Sequence, residues 1–139
     1  MSKIIVAESA GFCFGVNRAI NILYKLIDEN KPACTLGPII HNMQMVNELR
    51  EKGVRTIDKI SEAKENETIV IRSHGVPQSI VDEINERHLD YIDATCPFVS
   101  KIHKIVSETD DDSIVIIAGD KNHPEVKGIM GHCKSKCYT

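Results

Sequence analysis

Tryptophan is absent from the 139-residue chain and aromatic residues make up 4% of it, too few for the stacking platform that single-stranded nucleic acid needs. Neither sign of charge dominates: 17 Lys and Arg stand against 20 Asp and Glu, a formal net charge of −3. The basic residues are scattered, so nothing marks a nucleic-acid surface. No apolar run approaches the ~20 residues of a membrane span. The opening Met1–Ala7 turns acidic at Glu8 before a signal-peptide core can form. Linkers rich in Gly or Ser, repeats and low-complexity tracts are all missing, and so are the phosphate-binding signatures Gly-x4-Gly-Lys-Ser/Thr and Gly-x-Gly-x-x-Gly. With 42% hydrophobic and 27% charged residues, the composition is that of a soluble globular protein. A cytoplasmic protein with no membrane or nucleic-acid partner is expected. Its 15.5 kDa leaves room for one domain, or one plus part of a second.

Five cysteines are present: Cys13, Cys34, Cys96, Cys133 and Cys137. An odd count without regular spacing, in a chain read as cytosolic, points to metal ligands, catalytic groups or buried thiols rather than disulfide staples.

Short β-branched runs alternate with helix-like stretches. Lys3–Ala7 reads as a buried strand, and Val16, Ala19, Ile20, Leu23 and Ile27 fall on one helical face. Ala33–Leu36, Val54–Ile57, Thr68–Arg72 and Tyr91–Asp93 read as strands, with helices on Met43, Val46 and Leu49, on Ile80, Val81 and Ile84, and on Val99, Ile102 and Val106. Ser113–Ala118 is the strongest strand by composition, and a last helix starts near Pro124. Such alternation with near-continuously apolar strands predicts an α/β fold, parallel sheets flanked by helices. A boundary falls near Cys96. Residues 1–96 make a first lobe, and 97–139 an incomplete second one that ends after one strand and one helix.

Reactive residues cluster where strands hand over to helices. Cys13 follows the expected strand Lys3–Ala7, His41 follows Ala33–Leu36, His74 follows Thr68–Arg72, Cys96 follows Tyr91–Asp93, and His123 with Glu125 follows Ser113–Ala118. In parallel α/β folds the carboxyl ends of strands form the ligand crevice. Pro97 and Pro124 suit the first helical position, which makes Cys96 and His123 N-caps. A helix N-terminus favours negative charge by about 0.3–1 kcal/mol and so favours a thiolate, the form a metal or iron–sulfur ligand takes. Its free N–H groups equally suit a phosphate, and His41 and His74 could complete an anion site.

Taken singly, each of these residues has a structural reading. A lone cysteine is often a small buried hydrophobe, and Glu125 in a first helical turn complements the helix dipole. Arg18 and Lys101 read as solvated, Cys34 as core, and His88 and His103 as structural residues within helices. His132 with Cys133 and Cys137 is too incomplete for a zinc motif.

Together the segments resemble a known family. Ala10–Ala19, with Cys13 inside it, is similar to the opening motif of the 4-hydroxy-3-methylbut-2-enyl diphosphate reductases, the LytB/IspH family of isoprenoid synthesis. Gly37–Asn42, Arg72–Pro77, Asp93–Val99 with Lys101 and His103, and His123–Val126 with Gly128 resemble its later motifs, in order. The resemblance implies a fold of three similar α/β lobes, of which this chain supplies about one and a half. It also implies a 4Fe–4S cluster held by three cysteines, Cys13 and Cys96 being two, with the third in a C-terminal half. His41, His74 and His123 would bind the diphosphate of a small allylic substrate, and Glu125 would feed the proton relay to the departing hydroxyl. Two electrons would come from an external donor of ferredoxin or flavodoxin type. On this reading the chain is an N-terminal portion of such a reductase, inactive alone. The alternative is a non-catalytic diphosphate-binding module.

Overall fold

The computed structural model describes residues 3–139. Four strands, β1 (Ala33–Leu36), β2 (Arg55–Ile57), β3 (Thr68–Ile71) and β4 (Tyr91–Asp93), form one parallel sheet in the order β2-β1-β3-β4. Helices connect them: α1 (Phe14–Asp28) precedes β1, α2 (Met43–Glu51) leads into β2, and α3 (Gln78–Glu86) joins β3 to β4. A single 3-10 turn, Ile60–Glu62, lies between β2 and β3. Beyond β4 run α4 (Pro97–Ser107), β5 (Ile114–Ile116), α5 (Pro124–Met130) and β6 (Lys136–Tyr138), with β5 and β6 paired in parallel as a separate two-stranded sheet.

Successive strand residues point to opposite faces, and each face of the four-stranded sheet carries its own core. Ala33 and Val70 pack with Ala19, Ile20, Leu23 and Leu26 of α1 and with Leu49 of α2. Cys34, Leu36, Ile57, Ile69 and Ile71 pack on the other side with Ile60 and with Ile84 of α3. Burying an Ile or Leu is worth roughly 1.5–3 kcal/mol, so the two layers hold the sheet's carboxyl edge in place. Helix α2 begins at Asn42, whose side chain accepts from Met45 N at 3.1 Å.

The structure corrects several expectations. Lys3–Ala7 is not a strand; Ile4, Ile5 and Val6 are exposed and find no partner strand among the described residues. A β-branched run favours extension, but a strand exists only where another supplies the ladder. Ser113–Ala118, the most apolar run, yields a three-residue strand with Ile114 and Ile116 exposed, because its sheet has two strands and little covers it. A strand that was not expected, β6, follows α5, so the stretch past residue 96 holds two strands rather than one. His88 is not helical; it sits just past α3 with φ +53°.

Candidate functional site

Two loops at the carboxyl edge of the four-stranded sheet, and the stretch that leads from β5 into α5, bring three of the candidate residues together. After β1 the chain turns at Gly37, and after β3 at Gly75, with φ +72° and +73°, conformations that glycine adopts without strain. His41 and His74 stand in these two loops, and His123 is the N-cap of α5. Their rings come together. His41 and His74 lie 4.5 Å apart between centroids, and His123 lies 5.9 Å from each. Three histidines separated by up to 82 positions thus share one spot.

The electrostatics of the trio follow from this crowding. Burial, together with the positive potential of His41, Arg72 and His123, lowers the His74 pKa to about 4, so its ring is neutral at pH 7. Its Nδ1 is buried without a hydrogen-bond partner among the described residues. His123 Nδ1 accepts from the Glu125 N–H at 3.3 Å, which puts the proton of the neutral ring on Nε2, free to donate. Glu125 is half-buried in the first turn of α5, two residues from that ring.

Cys13 and Cys96 are the N-caps of α1 and α4, and neither thiol closes its helix through a side-chain hydrogen bond. Cys13 is exposed and Cys96 half-buried. Cys13 stands at a helix cap rather than at the end of a strand. Cys96 Sγ lies 2.5 Å from the point a Cβ on Gly15 would occupy, so the second thiol packs against the backbone two residues beyond the first.

Two residues not expected to matter tie these loops together. Arg18 is not merely solvated: its guanidinium donates to Thr95 O at 3.2 Å and to Asp93 O at 3.1 Å, fastening the helix of Cys13 to the loop of Cys96. Ser73 donates through Oγ to Ile39 O at 3.2 Å, and Ser73 O accepts from Cys96 N at 2.9 Å. That one residue links the loops of His41, His74 and Cys96. The signal for both was their place inside segments that carry the family resemblance, Ala10–Ala19 for Arg18 and Arg72–Pro77 for Ser73. His103, read as a structural residue within a helix, is buried on α4 and stacked on His132 at 4.1 Å. Cys34 is core as expected, wholly buried, and burial pushes its thiol up to about 11. Cys133 donates to Ile129 O at 3.5 Å. Among the described residues no three of His, Cys, Asp or Glu are grouped to hold a metal ion by themselves.

A protein-family model described as LytB protein matches residues 4–139. The chain belongs to the LytB family. Curated relatives agree. The chain is 44% identical over 141 residues to the 4-hydroxy-3-methylbut-2-enyl diphosphate reductase of Caldanaerobacter subterraneus subsp. tengcongensis, covering 98% of the chain and 49% of that protein. Against the reductase of Clostridioides difficile, identity is 44% over 135 residues, 96% of the chain and 48% of that protein. A solved structure of (E)-4-hydroxy-3-methyl-but-2-enyl diphosphate reductase, described as the terminal enzyme of the non-mevalonate pathway, superposes with a TM-score of 0.82 at 43% identity. It covers 99% of this chain and 50% of its own. The Plasmodium falciparum E-1-hydroxy-2-methyl-but-2-enyl-4-diphosphate reductase gives 0.85 at 29% identity, with 95% and 42% covered. This LytB chain thus spans about half the length of the relatives it matches, with their parallel sheet flanked by helices. No described helix is long and apolar enough to cross a membrane.

Proposed function

We propose that this LytB chain supplies the diphosphate-binding face and two cluster thiols of a 4-hydroxy-3-methylbut-2-enyl diphosphate reductase. The overall reaction replaces the substrate's C–O bond with C–H, consuming two electrons and two protons and releasing water, to give isopentenyl and dimethylallyl diphosphates. The observation that carries this reading is the convergence of His41, His74 and His123 within 5.9 Å.

In this reading the three rings grip the diphosphate. His123 Nε2–H is already oriented to donate by the bond its Nδ1 accepts. An arriving anion favours the charged form of His74 that burial disfavours, and charge-assisted N–H···O bonds are roughly twice as strong as neutral ones. Glu125, beside His123, feeds the proton relay to the hydroxyl oxygen as that oxygen leaves. Cys13 and Cys96 would be two of the thiols that hold a 4Fe–4S cluster: both cap helices, and Cys96 Sγ packs against the bare backbone of Gly15, two residues past Cys13. When bound, the cluster supplies the electrons and a Lewis-acidic iron. We assign the electron supply to an external donor of ferredoxin or flavodoxin type. We place the protein in the cytoplasm, a reading that five unpaired cysteines support. We also propose a lobe boundary at residue 96, supported by the separate β5–β6 sheet.

Two thiols fall short of a full ligand set, so the 139 residues alone are expected neither to turn over substrate nor to retain a stoichiometric cluster after anaerobic reconstitution. Binding is the sharper test. By titration calorimetry pyrophosphate should bind the chain, and His41→Ala, His74→Ala and His123→Ala should each weaken it about tenfold or more, at 1.5–3 kcal/mol per hydrogen bond to a charged group. Lys101→Ala, on the exposed side of α4, should not. Equal binding by all four variants would overturn the reading.

A further inference from the structure

His103 is the one histidine that the proposed chemistry does not use and that the fold nevertheless buries. It sits on α4, seven residues past Cys96, and its ring touches both elements that carry the anion site. Its Cε1 lies 2.5 Å from the point a Cβ on Gly75 would occupy, and its Nε2 lies 3.2 Å from the corresponding point on Gly128. Gly75 is the neighbour of His74, and Gly128 belongs to α5, which starts at His123 and carries Glu125. His74 O lies 3.5 Å from the same Gly128 point, so the helix backbone rests on the His74 turn itself. On its other side the ring stacks on His132 at 4.1 Å and an interplanar angle of 21°, and His132 Nε2 is held 3.0 Å from Val76 O.

We propose that His103 is a positioning residue, a flat wedge between Gly75 and Gly128 that sets the spacing between the His74 turn and the helix of His123 and Glu125. What that spacing serves rests on the diphosphate reading above; that the wedge sets it does not. Shape rather than charge does the work. Nε2 has no hydrogen-bond partner among the described residues, and burial with the adjacent His132 lowers the pKa to about 4, against a smaller opposing effect of Asp93. The ring is therefore neutral at pH 7. A cavity of about 330 Å3, lined by His103, His132, Thr95 and Val76 among others, lies alongside, so a smaller or rounder side chain leaves the two backbones free to shift toward it.

The test uses the whole chain and the variants His103→Phe, which keeps the ring, and His103→Leu, which keeps apolar bulk without it. Nitrogen-15 NMR follows the titration of the His74 imidazole, which His41, Arg72 and His123 face, and calorimetry follows pyrophosphate. Phe should leave the His74 titration near its wild-type position and the pyrophosphate Kd within about threefold. Leu should raise the His74 titration by a unit or more and weaken pyrophosphate tenfold or more. If Leu does not fold, Gly128→Ala makes the same test, because its methyl would stand 3.2 Å from His103 Nε2 and press the intact ring away from α5. Leu or Gly128→Ala matching wild type in the His74 titration overturns the proposal, and so does Phe failing as badly as Leu. A wild-type chain that ignores pyrophosphate refutes the diphosphate reading, while the His74 titration still decides the role of His103.

Discussion

Replacing Gly15 with alanine sets two physical effects against each other at the site's edge. Gly15 is the second residue of α1, and Gly→Ala inside a helix gains up to about 1 kcal/mol in propensity. The added methyl, however, would stand 2.5 Å from Cys96 Sγ and 2.9 Å from Cys96 Cβ. Rotating the thiol away relieves the first clash but not the second, so the α4 N-terminus must move as well. Overpacking of this kind costs about 1–3 kcal/mol, which outweighs the propensity gain. For a chain of this size 1 kcal/mol corresponds to about 4 °C in Tm, so Gly15→Ala should melt several degrees below wild type. Peptide-resolved alkylation should show Cys96 reacting faster while Cys34 stays protected. A higher Tm with unchanged Cys96 reactivity would refute the packing argument, and with it the reading that the bare Gly15 backbone seats Cys96 against the start of α1.

Acid should weaken the fold well above the carboxylate range. His74 and His103 are both lowered to about 4, so between pH 6.5 and 4 the unfolded chain binds protons that the folded one refuses; the stability is intact above pH 6.5 and is lost as pH falls through this window. For His103, 7% exposed, the loss from pH 7.5 to 5.0 is about 2 kcal/mol. Urea midpoints at the two pH values should show it, with a smaller drop in His103→Phe. Glu67 is 6% exposed and is held by Arg55 Nη1 at 2.9 and 2.7 Å and by the Lys64 N–H at 3.0 Å; burial opposes its charge, yet these donors keep its carboxyl below the ordinary range. Glu67→Gln should therefore cost about 1–3 kcal/mol in chemical denaturation, and an unchanged midpoint would deny the pair a role in stability.

The residues that act through local pattern were the legible ones. Pro97 and Pro124 marked two helix starts and thereby placed Cys96 and His123 as caps, because a missing N–H and a fixed φ are properties of the residue itself. Apolar runs marked β1 and β3 for the same reason. What failed depends on neighbours far along the chain. Ile4–Val6 carries every strand preference and has no partner strand among the described residues, whereas Lys136–Tyr138 carries little and gains a ladder from β5. Arg18 looked like any helical arginine until the loop of Asp93 and Thr95 lay beneath it. His103 shows the same limit: its role comes from Gly75 and Gly128, which no spacing along α4 could reveal.

The most direct test of a shared anion site is a pyrophosphate titration of the chain followed through its histidine ring nitrogens. His41, His74 and His123 should shift together with a single dissociation constant, while exposed His88, just past α3, stays fixed. Rings that respond at different concentrations, or not at all, would contradict the account.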